Sequence, residues 1–163
     1  MKVREILEQK GRRVVTIRPD ATISTAVHRM ALERIGALVA SEDGAAIAGI
    51  LSERDVLRGL AQDGAAIMSS DHRVADLMTT GVRTCTPDDA IKSVMAEMTR
   101  HRIRHLPVVE NGRLAGLISI GDAVKSRLDE MELETVVLPP ACSARTGRSR
   151  GRRQAGLHAV HPP

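Results

Sequence analysis

The stretch GILSERD at residues 49–55 recurs as GLISIGD at residues 116–122. Each copy contains a glycine, two apolar residues, a serine and, three positions after that serine, an aspartate. This pattern predicts a strand that runs directly into a helix, because serine caps a helix N-terminus and an acidic first turn complements the helix dipole. The recurrence predicts that the chain contains one structural unit twice.

The repeat extends well beyond these two stretches. A shift of 68 residues aligns IRPDATISTAVHRMALERIGAL (17–38) with CTPDDAIKSVMAEMTRHRIRHL (85–106). Upstream, VREIL (3–7) echoes VADLM (74–78). Two copies of this length predict two similar domains rather than one irregular fold.

Each copy predicts the order β-α-β-β-α, which is an α/β (α+β) fold class. A short strand, at residues 14–17 or 83–85, is followed by a proline, and apolar residues spaced by three and four then predict a helix. The hairpins turn near Asp43-Gly44 and at Asn111-Gly112, which are pairs suited to tight turns. The second helix of each copy starts at the Ser-x-x-Asp junction.

Three segments follow from the repeat. Residues 1–68 are predicted to form the first domain with an N-terminal helix, residues 69–130 the second domain, and residues 131–163 the end of a C-terminal helix and a basic tail. Residues 61–73 are predicted to be a linker, since they contain a glycine and a Ser-Ser-Asp cluster. Residues 3–8 and 126–137 are expected to pair as terminal helices, and residues 139–163 to be disordered.

The charge distribution argues against a nucleic-acid-binding body. The chain of 163 residues has a net charge of +4, but its last 25 residues hold five arginines and no acid. Without those arginines 19 basic residues face 20 acidic ones, so residues 1–138 carry a net charge of about −1. Nucleic-acid binding is therefore not expected beyond a weak contact of the tail with polyanions.

Composition argues against several other classes. No apolar run approaches the roughly 18 residues of a membrane span, and the charged first residues do not resemble a secretory signal. Cys85 and Cys142 lack the spacing of a disulfide framework or a zinc site. His101 and His105 are four residues apart, but arginines flank them and the glutamate of a metalloprotease helix is missing, so no metal is predicted. A cytoplasmic protein that is not an enzyme is expected, since no catalytic motif is present.

Two interpretations of the repeated serine and aspartate remain open. Each pair can simply cap a helix. Alternatively, the helix N-terminus can attract a phosphate, with the aspartate accepting ribose hydroxyls and the serine donating to the phosphate. The two roles are compatible.

The repeated pattern resembles a pair of CBS domains, named after cystathionine β-synthase and also called a Bateman module. The resemblance rests on RHLPVVENGRLAGLISIGD (104–122) and on both Ser-x-x-Asp junctions, and it covers roughly residues 3–130. The chain most resembles compact bacterial proteins made only of such a pair. The family implies two tandem β-α-β-β-α domains packed as a pseudo-two-fold pair, often as a homodimer. It also implies a regulatory adenine-nucleotide ligand (AMP, ADP, ATP or NAD(H)) or S-adenosylmethionine in the clefts between the repeats.

The resemblance assigns roles to eight residues. Asp55 and Asp122 would bind the ribose, Ser52 and Ser119 the phosphate or ribose, and Thr16 and Thr84 would line the base pocket. Arg104 and His105 would reach across the interface to the phosphate in the Ser52/Asp55 cleft. Because the chain has no aromatic ring to stack on adenine, aliphatic residues including Ile17 and Ala37 are expected to line the base pocket, and Arg54 is a further candidate for ligand binding.

The first repeat has Gly36-Ala37 where the second has Arg104-His105. Unless Arg34 or Arg54 substitutes, the cleft of Ser119 and Asp122 therefore lacks a cationic clamp, and two unequal sites are predicted. The expected function is a nucleotide sensor, a homodimer through its amphipathic helices, that acts on an unknown protein effector. The alternatives are a ligand-free interaction scaffold and a weak polyanion binder through the tail.

Overall fold

The computed structural model describes the backbone of residues 1–136 and the side-chain surroundings of residues 1–131. The predictions for residues 139–163, and for the side chains of residues 132–137, lie outside the described residues. In chain order the elements are α1 (Val3–Lys10), β1 (Thr16–Ile17), α2 (Ile23–Glu33), β2 (Ala37–Ala40), β3 (Gly49–Ser52), α3 (Glu53–Asp63), a 3-10 helix (Gly64–Met68), α4 (Val74–Leu77), α5 (Ile91–His101), β4 (His105–Glu110), β5 (Arg113–Ser119) and α6 (Ile120–Val136).

Two small sheets carry the repeat. β1 pairs in parallel with β2, and β2 pairs antiparallel with β3. In the second half β4 and β5 form the equivalent hairpin, while the strand predicted at residues 83–85 is reduced to one parallel bridge between Cys85 and Val108. That bridge is the equivalent, 68 residues on, of the pairing between Ile17 and Ala40 in the first half. The predicted order β-α-β-β-α is confirmed, with a shorter first strand in the second copy.

The turns that join these elements recur as well. Arg34 and Arg102 follow α2 and α5 in the left-handed conformation, with φ of 54° and 53°. Their backbone N–H groups donate to carbonyls of the last helical turn and end each helix in the same way. Asn111 and Gly112 both have positive φ, 52° and 75°, as a two-residue hairpin of this kind requires.

The structure has two apolar cores, and each includes a helix that precedes the other repeat in the chain. α4 leads into the second repeat, yet Val74 is fully buried in the core of the first. α1 leads into the first repeat, yet its buried residues Val3, Ile6 and Leu7 belong to the core of the second. The leading helices are thus exchanged between the repeats.

Both exchanged helices dock through the same backbone contacts. The N–H of Val3 donates to the carbonyl of Asp89 (3.0 Å), and the N–H of Val74 donates to the carbonyl of Ala21 (2.8 Å). A glycine on the second strand of each hairpin makes room for the helix. A Cβ at Gly116 would lie 2.7 Å from Leu7 of α1.

A Cβ at the equivalent Gly49 would lie 2.5 Å from the sulfur of Met78, just after α4. The glycine that opens both GILSERD and GLISIGD is therefore a docking site for a helix.

The prediction of a linker at residues 61–73 is wrong for residues 61–68, which are helical. α3 continues to Asp63, and the 3-10 helix that follows buries Ile67 completely in the first core. Sequence periodicity missed this turn because only one of its side chains is buried.

The terminal helices lie side by side in the described part of the chain. The Ser126 hydroxyl of α6 contacts the sulfur of Met1, and the amino group of Met1 lies 3.4 Å from Glu130. Among the described residues, no helix is long and apolar enough to span a lipid bilayer.

Candidate functional site

The first Ser-x-x-Asp junction forms a closed set of hydrogen bonds at the start of α3. The backbone N–H of Ser52 donates to Asp55 Oδ2 at 2.8 Å, and the Ser52 hydroxyl donates to the same oxygen at 2.6 Å. The other oxygen, Oδ1, receives one longer contact, 3.3 Å from Arg58 Nη1. Asp55 is only 7% exposed. The junction caps the helix, and it leaves Oδ1 as the weakly occupied acceptor.

The second junction has the same geometry with one addition. Ser119 donates its N–H and its hydroxyl to Asp122 Oδ2, both at 2.8 Å. Lys10, at the end of α1, donates to that oxygen as well, at 2.6 Å. Burial alone would raise the pKa of Asp122, but the hydrogen bonds from Lys10 and Ser119 outweigh it and hold the pKa below its ordinary value.

A cavity of about 400 Å³ lies beside the first junction, and we call it the Asp55 cleft. Both repeats contribute to it. The first repeat supplies the helix start at Ser52–Asp55, and the second supplies the segment between α5 and β4. Its cationic side chains are Arg54, Arg58, Arg83, Arg102 and Arg104, joined by His101 and His105, and its acids are Glu53 and Asp55. The cleft therefore has an excess of positive charge.

The cations of the Asp55 cleft differ in what they already bind. Arg54 Nη1 donates to the carbonyl of Arg102 at 2.8 Å, which joins α3 of the first repeat to the end of α5 in the second. Arg58 is held by Asp55, and Arg83 lies 3.4 Å from Glu97. Arg102 and Arg104 are exposed and have no side-chain hydrogen bond or ion pair within the described residues. Two guanidinium groups are thus available to an anion.

His105 lies between the two junctions. It lines the Asp55 cleft, and on its own hairpin it pairs with Ser119. Burial lowers the pKa of His105, against the opposing influence of Glu53 and Asp122, while Lys10 and Arg104 lower it further. The imidazole is therefore mostly neutral at neutral pH. His101 lies on α5 and His105 on β4, so the pair does not share a helix.

A second, more open cavity of about 770 Å³ lies on the other side of the interface, and we call it the Ser119 cleft. Its walls are the end of α2 with Arg34, Ile35 and Gly36, and the start of α6 with Ser119, Ile120 and Gly121. Glu53, Arg104 and His105 line this cavity as well as the Asp55 cleft, and the rest of the lining is apolar. By the repeat alignment, Arg34–Gly36 is the counterpart of Arg102–Arg104, and Ser119–Gly121 of Ser52–Arg54. The two clefts are pseudo-symmetric.

The structure brings seven of the predicted site residues to these clefts or to the junctions beside them: Ser52, Arg54, Asp55, Arg104, His105, Ser119 and Asp122. Arg104 and His105 reach the Asp55 cleft, the location that the resemblance implies. The other four lie elsewhere. Ile17 and Ala37 are buried within the first repeat, Thr16 pairs with Val39 in the sheet, and Thr84 is exposed next to Arg83.

Sequence reasoning missed one whole wall of the Asp55 cleft. Residues Thr79 and Gly81–Arg83, which follow α4, line the cavity because α4 docks on the first repeat. It also missed Lys10, which α1 brings to Asp122 in the same way. The echo of VREIL in VADLM was the available signal, since equivalent helices are expected to dock equivalently.

The family model for the CBS domain matches residues 3–62 and 74–129. The chain belongs to the CBS-domain family. Its two halves are tandem CBS domains packed as a pseudo-two-fold pair, and the fold expected from the resemblance is confirmed.

Solved and curated CBS-domain proteins are similar along most of the chain. A CBS-domain containing protein from Agrobacterium tumefaciens has 43% identity and a TM-score of 0.74, covering 78% of this chain and 99% of that one. A CBS domain protein from Pyrobaculum aerophilum, solved in complex with AMP, has 30% identity and a TM-score of 0.69, covering 83% and 99%. The mitochondrial CBS domain-containing protein CBSX3 of Arabidopsis thaliana is 38% identical over 115 residues, 68% of this chain. The chain spans 55% of that relative's length.

Proposed function

We propose that this CBS pair is a regulatory sensor of an adenine nucleotide, which binds in the Asp55 cleft. The observation that carries the proposal is a buried carboxylate and a cluster of guanidinium groups on the walls of one cavity. A nucleotide needs both, because its ribose hydroxyls donate hydrogen bonds and its phosphates accept them.

The two ends of the cleft divide these tasks. Asp55 Oδ1 receives one contact, from a mostly exposed Arg58, so a ribose hydroxyl can replace that arginine at small cost. Arg102 and Arg104 then supply planar donors for phosphate oxygens. The Ser52 hydroxyl already donates to Asp55, so Ser52 holds the carboxylate in place rather than donating to the phosphate.

The base would be held by apolar contact. No aromatic residue exists in the chain, and the apolar lining of the Asp55 cleft is Ile50, Val82 and Ile103. Aliphatic walls with a few directed polar groups are usual for small-molecule sites. A cavity of about 400 Å³ is within the ordinary range for such ligands.

The relative from Pyrobaculum aerophilum supports this ligand class, since that protein was solved with AMP. Among AMP, ATP and NADH, the excess of arginine favours the ligands with more phosphates. The chain spans only part of its curated relatives, so ligand and output are proposed for this chain alone.

The proposed output is a change in how the two repeats sit against each other. The Asp55 cleft is built from both repeats, so a bound nucleotide adds contacts only in the arrangement that closes it. A ligand shifts such an equilibrium by its differential affinity for the two states. A protein effector of this cytoplasmic sensor would bind one arrangement.

A homodimer is proposed on the outer faces of α3 and α6. Leu57 and Leu60 on α3 and Val124 and Leu128 on α6 are exposed apolar side chains at equivalent or adjacent positions of the two repeats. An apolar surface of this kind is typical of a protein–protein contact.

The first experiment is to purify the protein and look for bound nucleotide. Because the chain has no tryptophan or tyrosine, an adenine absorption band would stand out against the protein, and mass spectrometry of the denatured sample would identify its source. If no band is present, AMP, ATP, NADH and S-adenosylmethionine are titrated by calorimetry. Failure of all four would overturn the proposal.

One observation favours a second candidate, a ligand-free interaction scaffold. Both Ser-x-x-Asp junctions are complete capping structures without any ligand. In a scaffold the four titrations would show no heat of binding, and partner binding would not depend on nucleotide.

A further inference from the structure

The side chain of Arg54 crosses the interface between the two repeats. Its Nη1 donates to the carbonyl oxygen of Arg102 over 2.8 Å. In the part of the chain that the structure describes, this is the one side-chain hydrogen bond that joins residues 16–68 of the first repeat to residues 84–130 of the second. Arg54 therefore links the start of α3 directly to the end of α5.

The carbonyl that Arg54 contacts belongs to the residue that ends α5. Arg102 has the left-handed conformation, with φ of 53°, and its own N–H donates back to the last helical turn. The N–H of Ile103 donates to the carbonyl of Met98 at 2.9 Å. The Arg102 carbonyl thus lies at the negative end of the helix dipole, where a cation is favourable. Arg54 caps α5 from the opposite repeat.

The segment that Arg54 holds carries the cations that the Asp55 cleft offers to an anion. Arg102 and Arg104 both line this cleft. At the far end of the segment, the carbonyl of Arg104 accepts a hydrogen bond from the N–H of Ile120 at 2.8 Å. The backbone of residues 102–104 is therefore anchored by Arg54 at one end and by α6 at the other. A backbone fixed in this way reduces the entropy that is lost when the two guanidinium groups meet a phosphate.

The equivalent turn of the first repeat forms without such a contact. Arg34 ends α2 with φ of 54°, and the N–H of Ile35 donates to the carbonyl of Met30, as at the end of α5. Gly121 stands where Arg54 stands in the other repeat, and it has no side chain that could reach the Arg34 carbonyl. The turn itself does not require an arginine from the opposite repeat. The contact of Arg54 is therefore specific to the Asp55 cleft.

We propose that Arg54 is a positioning residue of the Asp55 cleft, which holds the end of α5 so that Arg102 and Arg104 face a bound phosphate. This inference rests on the proposed function and deepens it. Arg54 acts through these two arginines instead of contacting the phosphate itself.

The first measurement is amide hydrogen exchange of the whole chain, followed by NMR without any nucleotide. Four proteins are compared: the wild type, Arg54→Met, Arg54→Lys and Arg100→Met. Arg100 is the matched control, because it is an exposed arginine of α5 that lines neither cavity. Arg54→Met should speed the exchange of the Ile103 amide about threefold or more, since the end of α5 loses one hydrogen bond. Amides of the buried strand β2 should be unchanged, and Arg100→Met should behave as the wild type does.

The second measurement is calorimetric titration of the same proteins with AMP and with adenosine. Arg54→Met should weaken AMP by about three- to tenfold, because Arg102 and Arg104 must then be ordered on binding. Adenosine has no phosphate, so its affinity should stay almost unchanged. Arg54→Lys keeps one donor and the charge on a shorter side chain, and it should recover part of the slow exchange and part of the AMP affinity together.

Three outcomes would overturn the inference. If the exchange of Ile103 is unchanged in Arg54→Met, Arg54 does not hold α5, and a loss of AMP affinity would then indicate direct contact with the phosphate. If Arg54→Lys recovers the AMP affinity but not the slow exchange, only the charge of Arg54 matters. If AMP and adenosine weaken equally, Arg54 does not act through the phosphate cations. A wild type that binds neither AMP nor adenosine would instead refute the proposed function, and that result is distinguishable because the exchange measurement needs no ligand.

Discussion

Replacing Asp55 by alanine separates the capping role of this residue from its proposed role in binding. The substitution removes an acceptor of three hydrogen bonds, two from Ser52 and one from Arg58. Loss of a helix cap costs about 0.5–2 kcal/mol. Ser52 is half-buried, so water can satisfy much of what it loses. We expect a decrease of about 1–2 kcal/mol in the free energy of unfolding, which is a decrease of about 2–8 °C in Tm.

The expected effect on binding is larger. Hydrogen bonds to a charged group contribute about 1.5–3 kcal/mol each, so loss of the ribose contacts should weaken adenosine by roughly 100-fold. For AMP a second effect opposes this loss. At roughly 8 Å the Asp55 carboxylate repels the phosphate by about 0.5–2 kcal/mol, depending on the effective dielectric constant. Asp55→Ala should therefore weaken AMP less than adenosine, by about tenfold or more.

The matched control is Asp122→Ala, which removes the same cap from the other repeat. Both variants should show a similar decrease in Tm. In calorimetry, nucleotide binding in the Asp55 cleft, which we call the strong step, should be intact in Asp122→Ala alone. The reasoning fails if Asp55→Ala binds adenosine as tightly as the wild type does. It also fails if the two variants weaken the strong step equally, because the effect would then be a general consequence of losing a cap.

Burial lowers the pKa of His105 from 6.5, so phosphate binding should recruit a proton, and AMP affinity should rise as the pH falls from about 7.5 to 6. In His105→Gln the rise of AMP affinity with falling pH should be smaller. The ionisation of AMP itself affects both proteins equally and cancels in the comparison. Equal pH dependence of AMP affinity in the two proteins would contradict a phosphate role for His105. Because the pKa of His105 is lower in the folded protein than in the unfolded chain, the unfolded state binds more protons below about pH 6.5. The free energy of unfolding of the free protein should therefore decrease as the pH falls through this range, and it should decrease less in His105→Gln. Gly49→Ala should lower the free energy of unfolding by about 1–3 kcal/mol through overpacking against Met78. Gly81→Ala is the control, because its added Cβ would meet no atom within 4 Å. If the two variants have the same thermal melting curve, Gly49 has no docking role. Leu128→Glu should convert the proposed dimer to a monomer in light scattering without changing AMP affinity, because Leu128 is exposed and lines neither cavity; a dimer that survives the change would place the interface elsewhere.

The sequence predicts what depends on local pattern. Asn111-Gly112 forms the hairpin turn as expected, and both Ser-x-x-Asp junctions lie at helix starts, because turn chemistry and capping act over a few residues. The path of Arg104 and His105 to the Asp55 cleft is a tertiary fact, and it was available only through the resemblance to a family. Composition and periodicity alone would not have joined residues 52 and 105.

What the sequence did not predict depends on packing between segments far apart in the chain. Lys10 and Asp122 are 112 residues apart, and no local rule relates them. Ile67 was predicted to lie in a linker because a single buried side chain in a 3-10 turn has no periodicity. The base-pocket roles expected of Ile17 and Ala37 stay predictions: Ile17 belongs to the first core, Ala37 is buried, and neither residue lines either cavity.

The exchange of leading helices explains why the repeated stretch begins with glycine and ends with aspartate. Gly49 and Gly116 each contact the leading helix of the other repeat or the residue just after it. Docking of α4 brings Gly81–Arg83 to the cleft of Asp55, and docking of α1 brings Lys10 to Asp122. Helix docking and site assembly are therefore one event in each half. A ligand that contacts the end of a docked helix stabilises the docking, and a substitution that loosens the docking weakens the site. By this reasoning Gly116→Ala, whose added Cβ would meet Leu7 of α1, should reduce nucleotide binding in the Ser119 cleft more than in the Asp55 cleft.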